Sequence, residues 1–150
     1  GLSKVLSDLN ATVESPRPML VKFAPDLDVA TLLGMVDVAR NAGADGVVLS
    51  NTTVERGPAE HPAQARFLAE KGGLSGAPLK DRSTALIQAV HDHTDGSWPI
   101  IGVGGISDAK DAQEKLDAGA TLLQAYSAFV FEGPSLVRNV VDGLASTSTS

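Results

Sequence analysis

Glycines placed directly after an apolar segment are the first feature of this sequence that could do chemistry. "PIIGVGGI" (99–106) runs from apolar residues into glycines at 102, 104 and 105. A glycine-rich turn that leads into a helix presents backbone N–H groups and the positive end of the helix dipole, which together suit an anion. A plain tight turn would explain one such motif, but "YSA" (126–128) closes the next apolar segment in a similar way. The pair favours a ligand that carries phosphate.

Lys22 is the second candidate. In "MLVKFAPD" (19–26) it alternates with Leu20 and Ala24, so a strand would place these three side chains on one face. If this strand belongs to a β-barrel, the Lys22 ammonium would lie inside the barrel near its upper rim rather than in solvent. It would then need an anionic partner. It could balance negative charge on a cofactor or form a Schiff base with a substrate. The structural alternative is a lysine that reaches water from the end of a strand.

Other polar residues could take part in substrate or metal binding. Ser50 to Thr53 ("SNTT") follow an apolar segment and offer uncharged donors and acceptors, which suit a planar polar substrate, although turn chemistry would also explain them. His91 and His93 are two apart on a predicted helix and face different directions, and His61 lies in a polar loop, so no metal site is predicted. The run "DAKDAQEKLD" (108–117) is typical of a solvated helix face.

Helices and strands alternate along the chain. Near-continuous apolar character predicts four strands, and the segment 19–24 suits a strand that is buried on both faces. The four segments are 19–24, 46–50, 99–103 and 121–126. Helical periodicity and capping residues predict a first helix over 2–13, one capped by Asp28 and stopped near Gly43, one over 79–90, one capped by Ser107, and one with Pro134 in its first turn. The final "STSTS" (146–150) is predicted to be a disordered tail.

Strict alternation indicates parallel β–α units. The segments 42–52 ("AGADGVVLSNT") and 118–128 ("AGATLLQAYSA") repeat one such step. Four units could form a small open sheet or half of an eight-stranded (β/α)8 TIM barrel. The polar and glycine residues cluster after the strands, where barrel active sites are assembled, so the half-barrel is favoured.

Composition limits the kinds of partner and of site that the chain can have. The chain has 150 residues, the size of one domain, and its 12 basic and 18 acidic residues give a net charge of −6. This charge argues against nucleic acid as a partner. Because there is no cysteine, the sequence excludes disulfides, thiolate metal sites and a cysteine nucleophile within this chain. No run reaches the roughly 18 apolar residues that a membrane helix needs.

Five motifs occur in one order along the chain: "VKFAPDL" (21–27), "SNTT" (50–53), "GGLSGAPL" (72–79), "PIIGVGGI" (99–106) and "LLQAYSA" (122–128). Together they resemble the C-terminal half of class 2, quinone-dependent dihydroorotate dehydrogenases, over about residues 19–144. The glycine motifs are shared with other flavin barrels. The combination of "APDL", "NTT" and "QxYSA" points to class 2.

The resemblance implies an FMN-binding (β/α)8 barrel in which residues 1–145 supply strands five to eight. By motif position, the residues expected to contact FMN are Lys22, Ser50, Gly76, Gly105, Tyr126 and Ser127. Asn51 and Thr52 are expected to bind dihydroorotate or orotate. The implied activity is oxidation of dihydroorotate to orotate in de novo pyrimidine biosynthesis, with a quinone as electron acceptor. Peripheral membrane association is implied through N-terminal residues that are not in this chain.

The family's general base is a serine in the first half of the barrel, and neither Ser75 nor Ser107 stands at a matching position. We therefore expect the chain to be part of a longer protein and to be inactive alone. Two alternatives come from the residues themselves. One is a Schiff-base aldolase barrel that uses Lys22 beside a phosphate site, and the other is a non-catalytic half-barrel that binds phosphate compounds.

Overall fold

The computed structural model describes residues 1–12, 17–58 and 62–147, and helices alternate with four strands along it. The elements are α1 (Leu2–Thr12), β1 (Leu20–Phe23), α2 (Val29–Asn41), β2 (Gly46–Leu49), α3 (Pro62–Leu68), a 3-10 turn (Ala77–Leu79), α4 (Lys80–His93), β3 (Ile100–Val103), α5 (Ala109–Asp117), β4 (Leu122–Gln124), α6 (Ser127–Glu132) and α7 (Ser135–Thr147).

The four strands form one parallel sheet in the order β1-β2-β3-β4. The register aligns Lys22 with Val48, Val48 with Ile101, and Ile101 with Leu122, so these four residues form one row across a single face. Since every strand runs the same way, the loops after the strands meet at one edge of the sheet. The predicted parallel β–α architecture is confirmed.

One face of the sheet is covered by helices. Val47, Leu49 and Ile100 point to this side and are fully buried. They belong to the main core together with residues of α2 and α4, namely Leu32, Val36, Leu86, Ile87 and Val90. Burial of this apolar surface is the main source of stability for the sheet.

The opposite face is open at its two outer strands. Leu20 on β1 is 40% exposed and Leu122 on β4 is 61% exposed. The prediction that the segment 19–24 forms a strand buried on both faces is therefore wrong for β1, because helices pack against only one side of the sheet. Lys22 shares this open face with Leu20, as expected, but its side chain is exposed to solvent.

Two of the predicted helix caps can be compared with the structure. Asp28 caps α2 as predicted and accepts hydrogen bonds from the Thr31 N–H at 2.9 Å and the Thr31 hydroxyl at 2.6 Å. The prediction that Ser107 caps α5 is wrong, because Asp108 accepts the Asp111 N–H at 2.8 Å instead. Ser107 donates its N–H and its hydroxyl to the Asp111 carboxylate, at 3.0 and 2.6 Å.

Several predicted bounds differ from the structure. The short helices α3 and α6 were not predicted, because seven and six residues are too few to show a helical period. Helix α7 continues to Thr147, two residues into the predicted tail. The remaining tail residues (148–150), Val13 and His61 lie outside the described residues.

Within the described ranges, no helix has both the length and the apolar character to cross a membrane.

Candidate functional site

A pocket of about 420 Å³ lies at the edge of the sheet where the loops after the strands meet. All eight residues that the sequence motifs indicated line this one pocket: Lys22, Ser50, Asn51, Thr52, Gly76, Gly105, Tyr126 and Ser127. They come from β1 itself, from the segments after β2, β3 and β4, and from the segment before α4, so only the fold brings them together.

The turn after β3 depends on its glycines. Gly104 and Gly105 have φ angles of 118° and 69°, which side-chain-bearing residues rarely adopt. A Cβ on Gly105 would lie 2.5 Å from the Cβ and 2.7 Å from the Cα of Lys80, the first residue of α4. The turn is therefore packed directly against the start of α4. The N–H groups of Gly104 and Gly105 make no hydrogen bond to another described residue.

The loop after β4 meets the segment before α4 across the pocket. The hydroxyl oxygens of Ser75 and Ser127 are 2.8 Å apart and share a hydrogen bond. Gly76 has a φ of 84°, and a Cβ there would lie 3.6 Å from the Ser127 Cβ. The Ser127 N–H, in the first turn of α6, makes no hydrogen bond to another described residue. Backbone donors from two loops therefore line the same pocket.

Asn51 and Thr52 are held by the main chain of their neighbours. The Asn51 N–H donates to the Phe23 carbonyl oxygen at 2.9 Å, which joins the loops after β1 and β2. The Asn51 side-chain oxygen accepts the Thr52 N–H at 2.9 Å. Gly73 lies against Thr52 so closely that a Cβ there would overlap the Thr52 hydroxyl. Both side chains remain exposed on the pocket.

The loop after β2 is fixed by further residues, which sequence reasoning missed. Thr53 and Leu74 exchange backbone hydrogen bonds of 3.1 and 2.8 Å. Asp26 accepts the Thr53 hydroxyl and, at 3.1 Å, the Val54 N–H. Arg56 donates to the carbonyl oxygens of Thr53, at 3.0 Å, and of Gly72. The only signal for these roles was the presence of Asp26 inside the "APDL" motif.

The loop after β1 has a further anchor on α4. Arg82 donates to the carbonyl oxygens of Pro25 at 2.9 Å and Leu27 at 2.7 Å. Because one guanidinium satisfies two carbonyl groups of the same loop, it holds that loop beside the pocket.

A charged cluster lies behind the turn after β3. Lys80 pairs with Asp111 at 2.6 Å and with Glu114 at 2.9 Å, and these hydrogen bonds raise the pKa of Lys80. Burial alone would raise the pKa of Asp111, but hydrogen bonds from Lys80 and Ser107 outweigh it and lower that pKa.

Lys115 lies beside this cluster and is fully buried, and burial lowers its pKa to about 8. The interpretation of 108–117 as a solvated helix face is therefore wrong for Asp111 and Lys115, which are both buried. The cause is the packing of α5 against α4, which the charge pattern alone does not reveal.

Comparisons with known proteins identify the family. The family model described as dihydroorotate dehydrogenase matches residues 2–147. A dihydroorotate dehydrogenase (quinone) of Synechococcus sp. (strain JA-2-3B'a(2-13)) is 44% identical over 159 aligned positions, which cover 98% of this chain and 42% of the relative. The same enzyme of Deinococcus radiodurans is 48% identical over 127 positions, covering 85% of this chain and 33% of the relative.

Solved structures indicate the same family. Ligand-free type DHODH from Eimeria tenella superposes with a TM-score of 0.84 at 31% identity, over 95% of this chain and 44% of that one. DHODH of the same organism in complex with ferulenol gives a TM-score of 0.74 at 36% identity, over 83% of this chain and 32% of that one. The chain thus spans less than half the length of these proteins, and its four β–α units are half of a (β/α)8 barrel. Nothing in these comparisons favours an aldolase, and the chain belongs to the dihydroorotate dehydrogenase family.

Proposed function

We propose that this chain supplies the C-terminal half of the barrel of an FMN-dependent enzyme that oxidises dihydroorotate to orotate and passes the electrons to a quinone. The observation that carries the proposal is the convergence of all eight motif residues on one pocket. Membership of the family supports the reaction. The quinone is proposed because the relatives named above are the quinone-dependent enzymes.

The chemistry of the pocket fits FMN. Backbone N–H groups of Gly105 and Ser127 have no described acceptor and lie on the same pocket, a donor set that suits a phosphate. Leu79, Val103 and Phe131 add apolar surface that suits a flavin ring. When bound there, FMN would supply the hydride acceptor for the oxidation of dihydroorotate.

The residues of this chain then have separate tasks. Lys22 contributes a positive charge on the open face of the sheet, where it balances negative charge on the bound cofactor. Asn51 and Thr52 orient the substrate through uncharged hydrogen bonds, and the loop anchors at Asp26 and Arg56 keep them in place. The proton acceptor is assigned to a serine in the other half of the barrel. Membrane contact is likewise assigned to residues outside this chain.

The experiment that tests the proposal uses the intact protein that contains this chain. The purified protein should show flavin absorbance and should reduce a quinone analogue when dihydroorotate is added. Substitution Asn51→Ala should lower the rate with dihydroorotate by about 100-fold or more while bound flavin is retained, because the substrate loses an orienting contact. Asn139→Ala, on the exposed side of α7, is the matched control and should leave the rate unchanged.

A protein that binds no flavin, or that binds flavin but does not respond to dihydroorotate, would contradict the proposal. Equal rates for Asn51→Ala and the control would remove the assignment of Asn51 to the substrate site and leave the reaction itself intact.

A further inference from the structure

Lys115 is a buried charge that the proposed function does not use. Its side chain is fully buried, and its Nζ donates to the Ser83 hydroxyl at 3.0 Å, the Thr84 hydroxyl at 3.1 Å and the Lys80 carbonyl oxygen at 3.3 Å. No carboxylate of the described residues lies within ion-pair distance of it. Burying an ammonium among neutral oxygens costs free energy. Packing therefore does not explain a lysine at this position.

A hydrogen-bonded chain connects Lys115 to the wall of the pocket. The Ser83 hydroxyl, which accepts from Lys115, donates at 2.6 Å to the Val103 carbonyl oxygen at the end of β3. The same carbonyl accepts the Ser50 N–H at 3.0 Å. This carbonyl and the Gly104 N–H belong to one peptide group, and Val103 and Gly104 both line the pocket. One hydroxyl thus separates the ammonium from the pocket wall.

Lys115 also holds the surface on which the turn rests. Its bond to the Lys80 carbonyl oxygen fixes the first turn of α4. Gly105 packs against that turn, since a Cβ there would lie 2.8 Å from the Lys80 nitrogen and 2.7 Å from its Cα. The ammonium therefore contacts the helix beneath the glycine turn directly, and it is linked through the Ser83 hydroxyl to the carbonyl that precedes the turn.

We propose that Lys115 is a positioning residue for a phosphate bound at the Gly104–Gly105 turn, and that it acts through Ser83. A hydrogen bond to a carbonyl oxygen polarises the peptide group and strengthens its N–H as a donor. The effect is larger when the chain of bonds starts from a charged donor. The inference rests on the proposed function, in which this phosphate belongs to FMN.

The test compares two flavins that differ only by the phosphate. Dissociation constants for FMN and riboflavin are measured by quenching of flavin fluorescence in the intact apoprotein. Lys115→Met should raise the dissociation constant for FMN by about tenfold, as expected for loss of a residue that holds a ligand-binding group through hydrogen bonds. Riboflavin affinity should not change. Ser83→Ala, which removes the connecting hydroxyl, should act in the same direction. Lys110→Met, on the exposed side of α5, is the control and should change neither value.

Equal weakening of both flavins would show general damage to the pocket and would overturn the inference. Unchanged FMN affinity in both Lys115→Met and Ser83→Ala would overturn it as well. Circular dichroism of each apoprotein identifies a variant that does not fold, and the other variant then decides. If the wild-type protein binds riboflavin and FMN equally or not at all, the proposed function fails and this inference fails with it.

Discussion

The two faces of the sheet differ more than their sequences suggest. On the covered face, Leu49 and Ile100 are completely buried against helices. On the open face, Leu20 and Leu122 are 40% and 61% exposed, although they are equally apolar. The pocket opens on the second side, and Lys22 projects there. One face holds the sheet together, and the other presents the candidate binding site.

This difference follows from how barrels are built. A sheet of four parallel strands is covered on one side by its own helices, whereas the interior of an eight-stranded barrel is filled by side chains from all eight strands. The apolar residues of the open face are therefore expected to be the interior of a complete barrel. The lengths of the relatives agree, since this chain matches less than half of each.

The largest expected effect comes from leucine truncation on the two faces. In the 150-residue chain, Leu49→Ala should lower the free energy of unfolding by about 2–5 kcal/mol, because it leaves a cavity in the core. Leu122→Ala removes a side chain that is 61% exposed and should cost less than about 0.5 kcal/mol. Urea unfolding followed by circular dichroism measures both values.

The difference between the two leucine substitutions should largely disappear in a complete barrel. In a protein in which four further β–α units close the barrel, Leu122 should become buried, and Leu122→Ala should then cost nearly as much as Leu49→Ala. A cost that stays small in the complete protein would show that the open face is not the barrel interior.

A smaller effect is expected for Gly105, which lines the pocket and packs against α4 on the helix-covered side of the sheet. Gly105→Ala forces a side chain into a φ of 69° and places its Cβ 2.7 Å from the Lys80 Cα. The expected cost is about 2 kcal/mol of stability, together with loss of the FMN affinity that is proposed for this pocket, because the turn must move away from α4. Gly57→Ala, with open space around the site, is the control. Thermal unfolding and flavin titration check the result, and an unchanged Gly105→Ala variant would show that the turn does not rest on α4.

The sequence predicted most of the architecture because its signals are local. Apolar strands, the Asp28 cap and the glycines after β3 all depend on neighbouring residues, and each was found from the pattern alone. Residue types at the ends of strands also indicated most of the pocket residues, whereas Gly76 and the assignment of each residue to cofactor or substrate came from the family motifs. Half of a barrel is expected to leave its apolar interior open to water. The exposed fraction of a single residue such as Leu122 could not be predicted from the pattern, because it depends on which elements cover that face.

Contacts between distant elements were also missed, and for a physical reason. Lys115 lies in a run of charges that has the composition of a solvated face, yet it is buried because α5 packs on α4. Arg56 reaches the carbonyl oxygen of Gly72, 16 residues away, across two loops. Such partners depend on the angle between elements, and the sequence carries no period or cap that reports it.

The smallest expected effect is the pH dependence that Lys115 gives to stability. Its pKa is lowered to about 8 in the folded protein, mainly by burial, against an ordinary value of 10.5. Nearby charges also act on it: Asp111, Glu114 and Asp81 favour its protonated form, and Lys80 disfavours it. Between pH 8 and 10.5 the unfolded chain therefore binds more protons at this residue, so its contribution to stability rises with pH.

The wild-type protein should therefore gain on the order of 1–2 kcal/mol relative to Lys115→Met as the pH is raised from 7 to 9.5. Urea unfolding of both proteins at each pH measures this difference, in which the other titrating groups largely cancel. Lys110→Met, which alters an exposed residue of the same helix, should follow the wild type. A difference that is flat or falls with pH would mean that Lys115 is not a buried ammonium. The helix-covered side of the sheet would then lack the charged group, the Lys115 ammonium, that is proposed to act on the phosphate site through Ser83.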